Sequence, residues 1–168
     1  GRLTGPLGEY ELRAAFTSPG LRVARANGLP LTGTLVVTPP QALVEPFRLT
    51  IPASPEAPRE GVVEGRFVYR FEPGSSDVDV TWRDLDLDSA LAAYDQEPTT
   101  AAAWQQGTAR IRVASADAPM TMRASGTSRP LARRDRVAVD GTWRAELDGT
   151  RWRVEHDHRL LDTVRASG

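Results

Sequence analysis

The chain contains 168 residues and no cysteine, and its formal net charge is −1, from 21 basic and 22 acidic residues. This charge balance excludes the basic footprint of a nucleic-acid-binding protein, and the lack of cysteine excludes disulfides and thiolate chemistry. No apolar run approaches the roughly 20 residues of a membrane-spanning helix. Chains of about 150 residues bury roughly two-thirds of their unfolded surface, so residues 1–168 can form a single unit without covalent staples.

The first half of the chain predicts a series of β-strands, each with one apolar and one polar face. Apolar and polar residues alternate, as expected where successive side chains point to opposite faces of a sheet. The alternation covers residues 10–16, 29–37, 43–51 and 63–71. Turn-forming residues separate these segments at Ser18-Pro19-Gly20, Thr38-Pro39-Pro40, residues 52–60 and Glu72-Pro73-Gly74. The pattern favours antiparallel strands joined by short turns.

In the strand that follows, the apolar residues change from one face of the strand to the other. Residues 78–82 place Val78 and Trp82 on one face, whereas Leu85 and Leu87 fall on the other. Because a slip of one residue moves every following side chain to the opposite face, we expect a β-bulge near Arg83-Asp84.

A short helix is predicted after this strand. Asp88-Ser89 is typical of a helix N-cap and precedes an alanine-rich stretch, so we expect one helix near residues 89–94. The alanines of residues 101–104 either continue this helix or form a second piece. Alternation then returns over residues 109–113, 120–124, 137–147 and 152–154. Asp148-Gly149 predicts a tight hairpin with a type I′ turn. The predicted fold class is therefore all-β.

Two groups of side chains partly resemble metal-binding sites. His156 and His158 project from one face of a predicted strand, but zinc requires three or four ligands, and the sequence has no third histidine. These histidines are better explained as the cap of an apolar face. Asp84, Asp86 and Asp88 resemble the start of a calcium loop, but serine and aspartate occupy the positions that require glycine and glutamate. We expect no metal ion and no cofactor.

The sequence also contains no recognisable catalytic motif. Neither Gly126-Thr127-Ser128 nor Gly74-Ser75-Ser76 has the spacing of a hydrolase nucleophile elbow, and no glycine-rich loop suits a phosphate. Three tryptophans, Trp82, Trp143 and Trp152, share the apolar phase of their strands, which favours packing over a sugar-binding platform. We therefore predict that the chain is not an enzyme.

Three stretches carry a resemblance to a known family. Residues 28–37 resemble a strand that opens with glycine, residues 61–67 contain glycines four apart, and residues 78–87 combine a strand with an aspartate-leucine step before a helix. Together they resemble the AsmA-like superfamily of repeating β-groove proteins, and the strand rhythm extends over nearly the whole chain. Residues 101–106 and 133–136 depart from that pattern.

The resemblance implies an antiparallel sheet curled into an open trough (a β-taco) with an apolar interior. It implies a fragment of a longer repetitive periplasmic protein that is anchored to the inner membrane. The implied function is carriage of phospholipid or other hydrophobic segments between the inner and outer membranes, in support of outer-membrane biogenesis and outer-membrane protein assembly. The implied partners are this apolar cargo and an outer-membrane protein of the BamA type, with no nucleic acid.

The inward phases of the strands define the predicted lipid-binding groove, and we expect Arg66, Arg70, Arg110, Arg112 and Arg144 to face water. The predicted lining consists of Leu35, Val37, Phe47, Leu49, Ile51, Phe67, Tyr69, Phe71, Val78, Val80, Trp82, Ile111, Val113, Met120, Met122, Val137, Val139, Trp143, Trp152 and Val154.

Two other interpretations use the same alternation. A closed β-sandwich that serves as a carbohydrate-binding or adhesive module would bury both apolar faces against each other. An enzyme with a jelly-roll or lipocalin-like barrel ranks third. An open sheet would also have free edges, which allow a homodimer of this chain.

Overall fold

The computed structural model describes residues 1–6, 8–23, 26–93, 97, 99–134 and 136–161, which form ten strands and one helix. The strands are β1 (Arg2–Thr4), β2 (Glu11–Val23), β3 (Ala26–Thr38), β4 (Gln41–Ile51), β5 (Gly61–Arg70), β6 (Ser75–Asp86), β7 (Ala101–Val113), β8 (Met120–Pro130), β9 (Val137–Asp148) and β10 (Arg151–Leu161). The helix α1 (Leu87–Ala93) lies between β6 and β7.

All ten strands belong to one sheet, in which each strand pairs antiparallel with the next one along the chain. Among the described residues, β1 and β10 do not pair with each other, so the sheet does not close into a barrel. The predicted fold, an antiparallel all-β sheet curled into an open trough, is confirmed. No helix in the described part of the chain has the length and apolar character needed to cross a membrane.

The pairing register sorts the side chains into an apolar face and a polar face. Residues directly opposite each other in an antiparallel sheet point to the same side. One such row runs Phe67, Val78, Ile111, Met122, Leu147 and Trp152 across β5 to β10. The neighbouring row, on the other side of the sheet, runs Asp79, Arg110, Arg123, Glu146 and Arg153. Each strand therefore contributes to both faces, as its alternation predicted.

The predicted bulge lies in β6. The register shifts between Trp82 and Leu85, and Asp84 has a φ of 50°. Trp82 pairs with Gly107 and Leu85 with Gln105, so the extra residue returns Leu85 to the apolar face. A left-handed backbone angle is tolerated by aspartate better than by most residues, which suits Asp84 to this position.

No second sheet covers the apolar face, and the helix α1 contacts the sheet at β3, β6 and β7. The accessible surface is 11264 Å², compared with about 8,100 Å² for a compact protein of this mass. Among the described residues, no large side chain is fully buried. A closed β-sandwich would bury such side chains between its sheets. The fold of that rival interpretation is therefore not the one observed.

The helix begins earlier than predicted, at Leu87. The Asp86 carboxylate accepts hydrogen bonds from the backbone N–H groups of Asp88 (3.1 Å) and Ser89 (3.2 Å). Asp86 is therefore the N-cap, and the expectation that Asp88-Ser89 caps the helix was wrong. The helix ends at Ala93, and Tyr94, the last residue of the predicted helix, lies outside the described residues.

Three further local predictions are corrected. Ser18-Pro19-Gly20 is not a turn, because β2 continues through it with a register shift between Ser18 and Leu21. Residues 101–104 are not helical but begin β7. The hairpin at Asp148-Gly149 forms, with Arg151 opposite Asp148. Its first central residue, Gly149, has φ 60°, whereas Thr150 has no positive φ, which is the pattern of a type II′ turn.

The sheet narrows at the end nearest the helix. β8 ends at Pro130, which lies opposite Ala103 of β7. Beyond that point β9 pairs with β7 directly and in parallel, through Ala101–Val137 and Ala102–Ala138. We call this end of the strands the helix end and the opposite end of the strands, with the hairpins at 71–74 and 149–150, the turn end.

Candidate functional site

The strand residues of the predicted groove lining all lie on the apolar face, as the pairing register requires. Six members are openly exposed: Tyr69 (37%), Phe71 (43%), Met120 (44%), Val137 (37%), Trp152 (59%) and Val154 (59%). Most others are half-buried, and Val139 is buried. Tyr69 and Phe71 meet edge to face at 5.8 Å between ring centroids, near the turn end. The predicted lining therefore forms an apolar surface that solvent reaches.

Two tryptophans of the lining meet above a pair of glycines. Trp82, Gly107, Gly126 and Trp143 form one row across β6 to β9. The indoles stack with 5.9 Å between centroids and 18° between planes. A Cβ on Gly107 would lie 2.6 Å from Trp82 Cζ2, and one on Gly126 would lie 2.9 Å from Trp143. Each indole ring therefore lies over a glycine, in the space that a larger side chain at the glycine's position would occupy.

The same arrangement recurs on the first half of the sheet. Phe16 lies over Gly33, where an added Cβ would be 2.6 Å from the ring. Phe47 covers Gly65 in the same way, at 2.9 Å. Glycine beside an aromatic residue on a neighbouring strand allows the ring to lie close to the backbone and shield it. The sequence marks these glycines, but only the register identifies the rings that cover them.

A polar network interrupts the apolar face at the helix end. The Trp143 indole N–H donates to Gln105 Oε1 (3.1 Å), and Gln105 Nε2 donates to Ser128 Oγ (3.0 Å). Ser128 Oγ lies 3.1 Å from His158 Nε2, and the His158 ring stacks on His156 at 5.4 Å. Gln105 and Ser128 are buried. Sequence reasoning placed His156 and His158 at the end of this face but missed their partners.

This network satisfies its own hydrogen bonds. Gln105 uses both ends of its amide, and Ser128 can donate its proton to His158 Nε2 while accepting one from Gln105. No third ligand joins the two histidines, since no group of three metal-binding side chains occurs within the described residues. The network orients Trp143 and supports the tryptophan stack.

The network gives a stability prediction. Ser128→Ala removes the group that Gln105 Nε2 and His158 Nε2 share, and leaves the buried amide of Gln105 without an acceptor. We expect a loss of about 1–2 kcal/mol in the free energy of unfolding. Chemical denaturation with urea measures it, and Ser115→Ala is the control, because this serine lies in the loop that follows β7 and its side chain makes no hydrogen bond with the described residues. An equal effect of both substitutions would contradict the role of the network.

The polar face consists of cross-strand ion pairs. Arg70 and Arg112 flank Asp77 at 2.7 and 3.0 Å, and Arg110 pairs with Asp79 at 3.3 Å. The hydrogen bond from Arg70 holds the pKa of Asp77 below its ordinary value. Nearby guanidinium charges lower this pKa further, whereas the slight burial of the carboxylate raises it. The arginines predicted to face water are exposed on this side.

A shallow furrow of about 870 Å³ crosses β4 to β9. Charged residues of the polar face border it, including Arg66, Asp79, Arg110 and Glu146. Of the predicted groove lining, it contains only Val80. The furrow is therefore a feature of the polar face and is separate from the predicted groove.

Arginines of residues 133–136, one of the two segments that depart from the pattern of the resemblance, form a cluster of ion pairs at the helix end. Arg133 forms ion pairs with Asp86 (3.2 Å), Asp88 and Glu56, and Arg136 binds Asp88 at 2.7 Å. The side chains of Arg133 and Asp86 are only 9% and 8% exposed. We call these five residues the ionic cluster.

A small apolar core accompanies the ionic cluster. It comprises Ala57, Ala102, Trp104 and Leu131, all buried. The Arg59 guanidinium lies 5.5 Å from the centroid of the Trp104 ring. Trp104 pairs with Asp86 across β6 and β7, so this core lies on the polar side of the sheet and not in the trough. It joins the loop of residues 52–60 to the segment after β8.

Comparisons with known proteins give no further guide to function. No protein-family model, no curated protein and no solved structure matches this chain.

Proposed function

We propose that this chain is a stretch of a periplasmic trough that carries phospholipid, or other hydrophobic segments, between the inner and outer membranes. The observation that supports it best is the exposed apolar face of a single open sheet, which no second sheet covers. The resemblance to the AsmA-like superfamily agrees with this proposal. Within that superfamily the chain most resembles TamB, the inner-membrane subunit of the translocation and assembly module.

The energetics of this face suit acyl chains. An apolar strand face must be buried against a second layer, against itself or against a ligand. Each methylene that a ligand buries here contributes about 0.8 kcal/mol, without any directional hydrogen bond. The flat rings over Gly33, Gly65, Gly107 and Gly126 extend this surface close to the backbone. Such a surface favours a slender apolar chain over a polar sugar.

The length of the trough is also appropriate. Ten strands at about 4.8 Å spacing span about 43 Å. A lipid tail occupies half of the bilayer core of about 30 Å, or about 15 Å. The apolar face can therefore take one tail at successive positions along its length, as carriage between two membranes requires.

The wider role follows from the same proposal. A longer periplasmic protein anchored to the inner membrane would contain this chain as one section of its trough. Its cargo would support outer-membrane biogenesis and the assembly of outer-membrane proteins, with an outer-membrane protein of the BamA type as its partner. In this proposal the chain binds and guides cargo and catalyses no reaction.

The central test introduces a charge in the trough. Val113→Glu and Ile111→Asp each place a carboxylate among apolar neighbours, which would repel an acyl chain because an unpaired charge is costly to desolvate. We expect native mass spectrometry to detect phospholipid or fatty acid bound to the purified wild-type chain, with at least a tenfold loss in these variants. Uptake of added lipid supplies a second measurement.

The matched control is Thr108→Glu, which places a carboxylate on the same strand but on the exposed polar face. It should retain the lipid. A wild-type chain that takes up no lipid, or variants that fold and bind lipid as well as the wild type, would contradict the proposal. A carbohydrate-binding or adhesive role for the exposed face would then become the leading alternative.

A further inference from the structure

A second pocket on the polar face adjoins the furrow that crosses β4 to β9. It has a volume of about 570 Å³ and extends across β6 to β9, in the interior of the sheet. The backbone of Gly107 and Gly126 forms its floor, and the stacked tryptophan rings lie on the other side of the sheet. Its walls contain only polar side chains. The neutral ones are Gln106, Thr108, Ser125, Thr127 and Thr142.

Two arginines also line this pocket, and neither forms an ion pair with a described residue. Arg83 of β6 and Arg144 of β9 lie on opposite sides of it, and no described carboxylate lines it. We call it the arginine pocket. Six other arginines of the polar face each lie within 3.5 Å of a carboxylate, namely Arg48, Arg66, Arg70, Arg110, Arg112 and Arg123. The two unpaired positive charges therefore set this pocket apart from the rest of the face.

The neighbouring carboxylates do not neutralise these arginines. Asp84, next to Arg83, pairs with Arg59 at 3.1 Å. Glu155 lies opposite Arg144 on the adjacent strand, but no ion pair joins the two in the structure as described. Arg83 also precedes Asp84 in the bulge of β6, and β-bulges often turn a side chain towards a binding site. The pocket therefore presents positive charge to solvent.

An independent observation in the same pocket also indicates a ligand. The hydroxyl oxygen of Thr127 is buried and has no hydrogen-bond partner, and it is the one such side-chain atom among the described residues. Buried polar groups in proteins nearly always have a partner. Because Thr127 lines the pocket, an oxygen atom of a bound ligand can accept the proton of this hydroxyl.

We propose that the arginine pocket binds the phosphate group of a small hydroxylated molecule, with a sugar phosphate as the type of ligand. Guanidinium groups bind phosphate oxygens through pairs of charge-assisted hydrogen bonds. Three strand spacings of about 4.8 Å separate β6 from β9, so Arg83 and Arg144 are about 14 Å apart across the sheet and approach a ligand between them from both sides. The hydroxyl of Thr127 completes the set of donors.

The size and the lining of the pocket favour a phosphate ester over a bare ion. Its volume falls within the range of about 300–1,000 Å³ that is typical of sites for small molecules. Gln106, Thr108 and Thr142 can exchange hydrogen bonds with the hydroxyl groups of such a ligand. The glycerol phosphate of a phospholipid headgroup has the same chemistry. The pocket lies on the face opposite the trough, so this site does not depend on the proposed carriage of lipid.

Isothermal titration calorimetry with glucose 6-phosphate tests the site, at low ionic strength because salt screens exposed charges. We expect the wild-type chain to bind this ester and not glucose. Arg83→Gln and Arg144→Gln should each raise the Kd at least tenfold, since each removes charge-assisted hydrogen bonds. Arg151→Gln is the matched control, because it removes the same charge from an exposed, unpaired arginine outside the pocket. It should leave the Kd unchanged.

Thr127→Val separates a binding role from a structural one. Valine keeps the shape of threonine and removes only the hydroxyl group. We expect the Kd for glucose 6-phosphate to rise about fivefold, which corresponds to one hydrogen bond. The stability of the free chain should not fall, because this hydroxyl has no partner to lose among the described residues. A loss of stability with no change in Kd would contradict the role given to Thr127.

Vesicles of phosphatidylglycerol distinguish the two sources of the phosphate. Binding of glucose 6-phosphate in solution would assign a soluble ligand, whereas binding to vesicles alone, lost in Arg144→Gln, would assign a headgroup. Absence of both, or arginine variants that bind as well as the wild type, would overturn the proposal. Inorganic phosphate bound as tightly as the ester would also overturn it and indicate an adventitious ion only. The Val113→Glu variant should keep this site, so its failure is distinct from that of lipid carriage.

Discussion

Replacement of Arg133 by alanine should lower the free energy of unfolding by about 3–5 kcal/mol, the cost typical of breaking a buried ion pair by removing one partner. The Arg133 side chain is 9% exposed and lies between Asp86, at 3.2 Å, and Asp88. Without it, the buried Asp86 carboxylate keeps only the backbone and hydroxyl donors of the first helical turn. The segment after β8 would also lose one of its attachments to the sheet and would keep the Arg136–Asp88 ion pair and buried Leu131.

Urea denaturation followed by far-ultraviolet circular dichroism measures this loss. Arg134→Ala is the matched control, because the neighbouring arginine is exposed and makes no ion pair with the described residues. Surface substitutions of this kind change stability by no more than about 0.5 kcal/mol. If both variants lost the same stability, the ionic cluster would not hold the helix end together.

The strands and their faces were predictable because the signal is local. A period of two along one strand is enough to assign its apolar and polar faces, and the phase change after Trp82 located the bulge at Arg83-Asp84. The alanines of residues 101–104 were misjudged for a related reason. Alanine favours helix when isolated, but this segment forms β7, which pairs there with β6, β8 and β9.

Side-chain contacts between strands of the trough depend on the pairing register, which the sequence of one strand does not show. Gly107 and Trp82 are far apart in sequence, and only the pairing of β6 with β7 places the ring over the glycine. The network of Gln105 and Ser128 has the same origin, since Ser128 lies between β7 and β9. The face on which each residue lies could therefore be predicted from its strand, but the polar network that interrupts the apolar face could not.

The helix end and the turn end of the strands differ in a way that bears on the proposed function. At the helix end β8 stops before β7 and β9, which narrows the sheet, and buried Gln105 and Ser128 add polar groups to the apolar face. At the turn end Tyr69, Phe71 and Met120 remain exposed. In the proposed carriage of lipid, a cargo chain would therefore meet apolar rings near the turn end and the polar groups of Gln105 and Ser128 towards the helix end.

Gly107→Ala should cost about 2–3 kcal/mol in the free energy of unfolding and should separate the stacked tryptophans. An added Cβ would lie 2.3 Å from the backbone carbonyl oxygen of Ser125 and 2.6 Å from Trp82 Cζ2. The carbonyl cannot retreat without breaking the pairing of β7 with β8, so the strain is that of an overpacked core. The indole of Trp82 must move away from Trp143 to admit the methyl group.

Near-ultraviolet circular dichroism reports this separation, because two stacked indoles couple their electronic transitions, and the coupled signal should disappear. Gly8→Ala is the matched control, since a Cβ there meets no atom within 4 Å. The control should keep both the stability and the coupled signal. If Gly107→Ala retained the signal, the tryptophan stack would not depend on the glycine beneath it. The proposed flat apolar surface would then lose its structural basis, because other side chains would fit under the rings without displacing them.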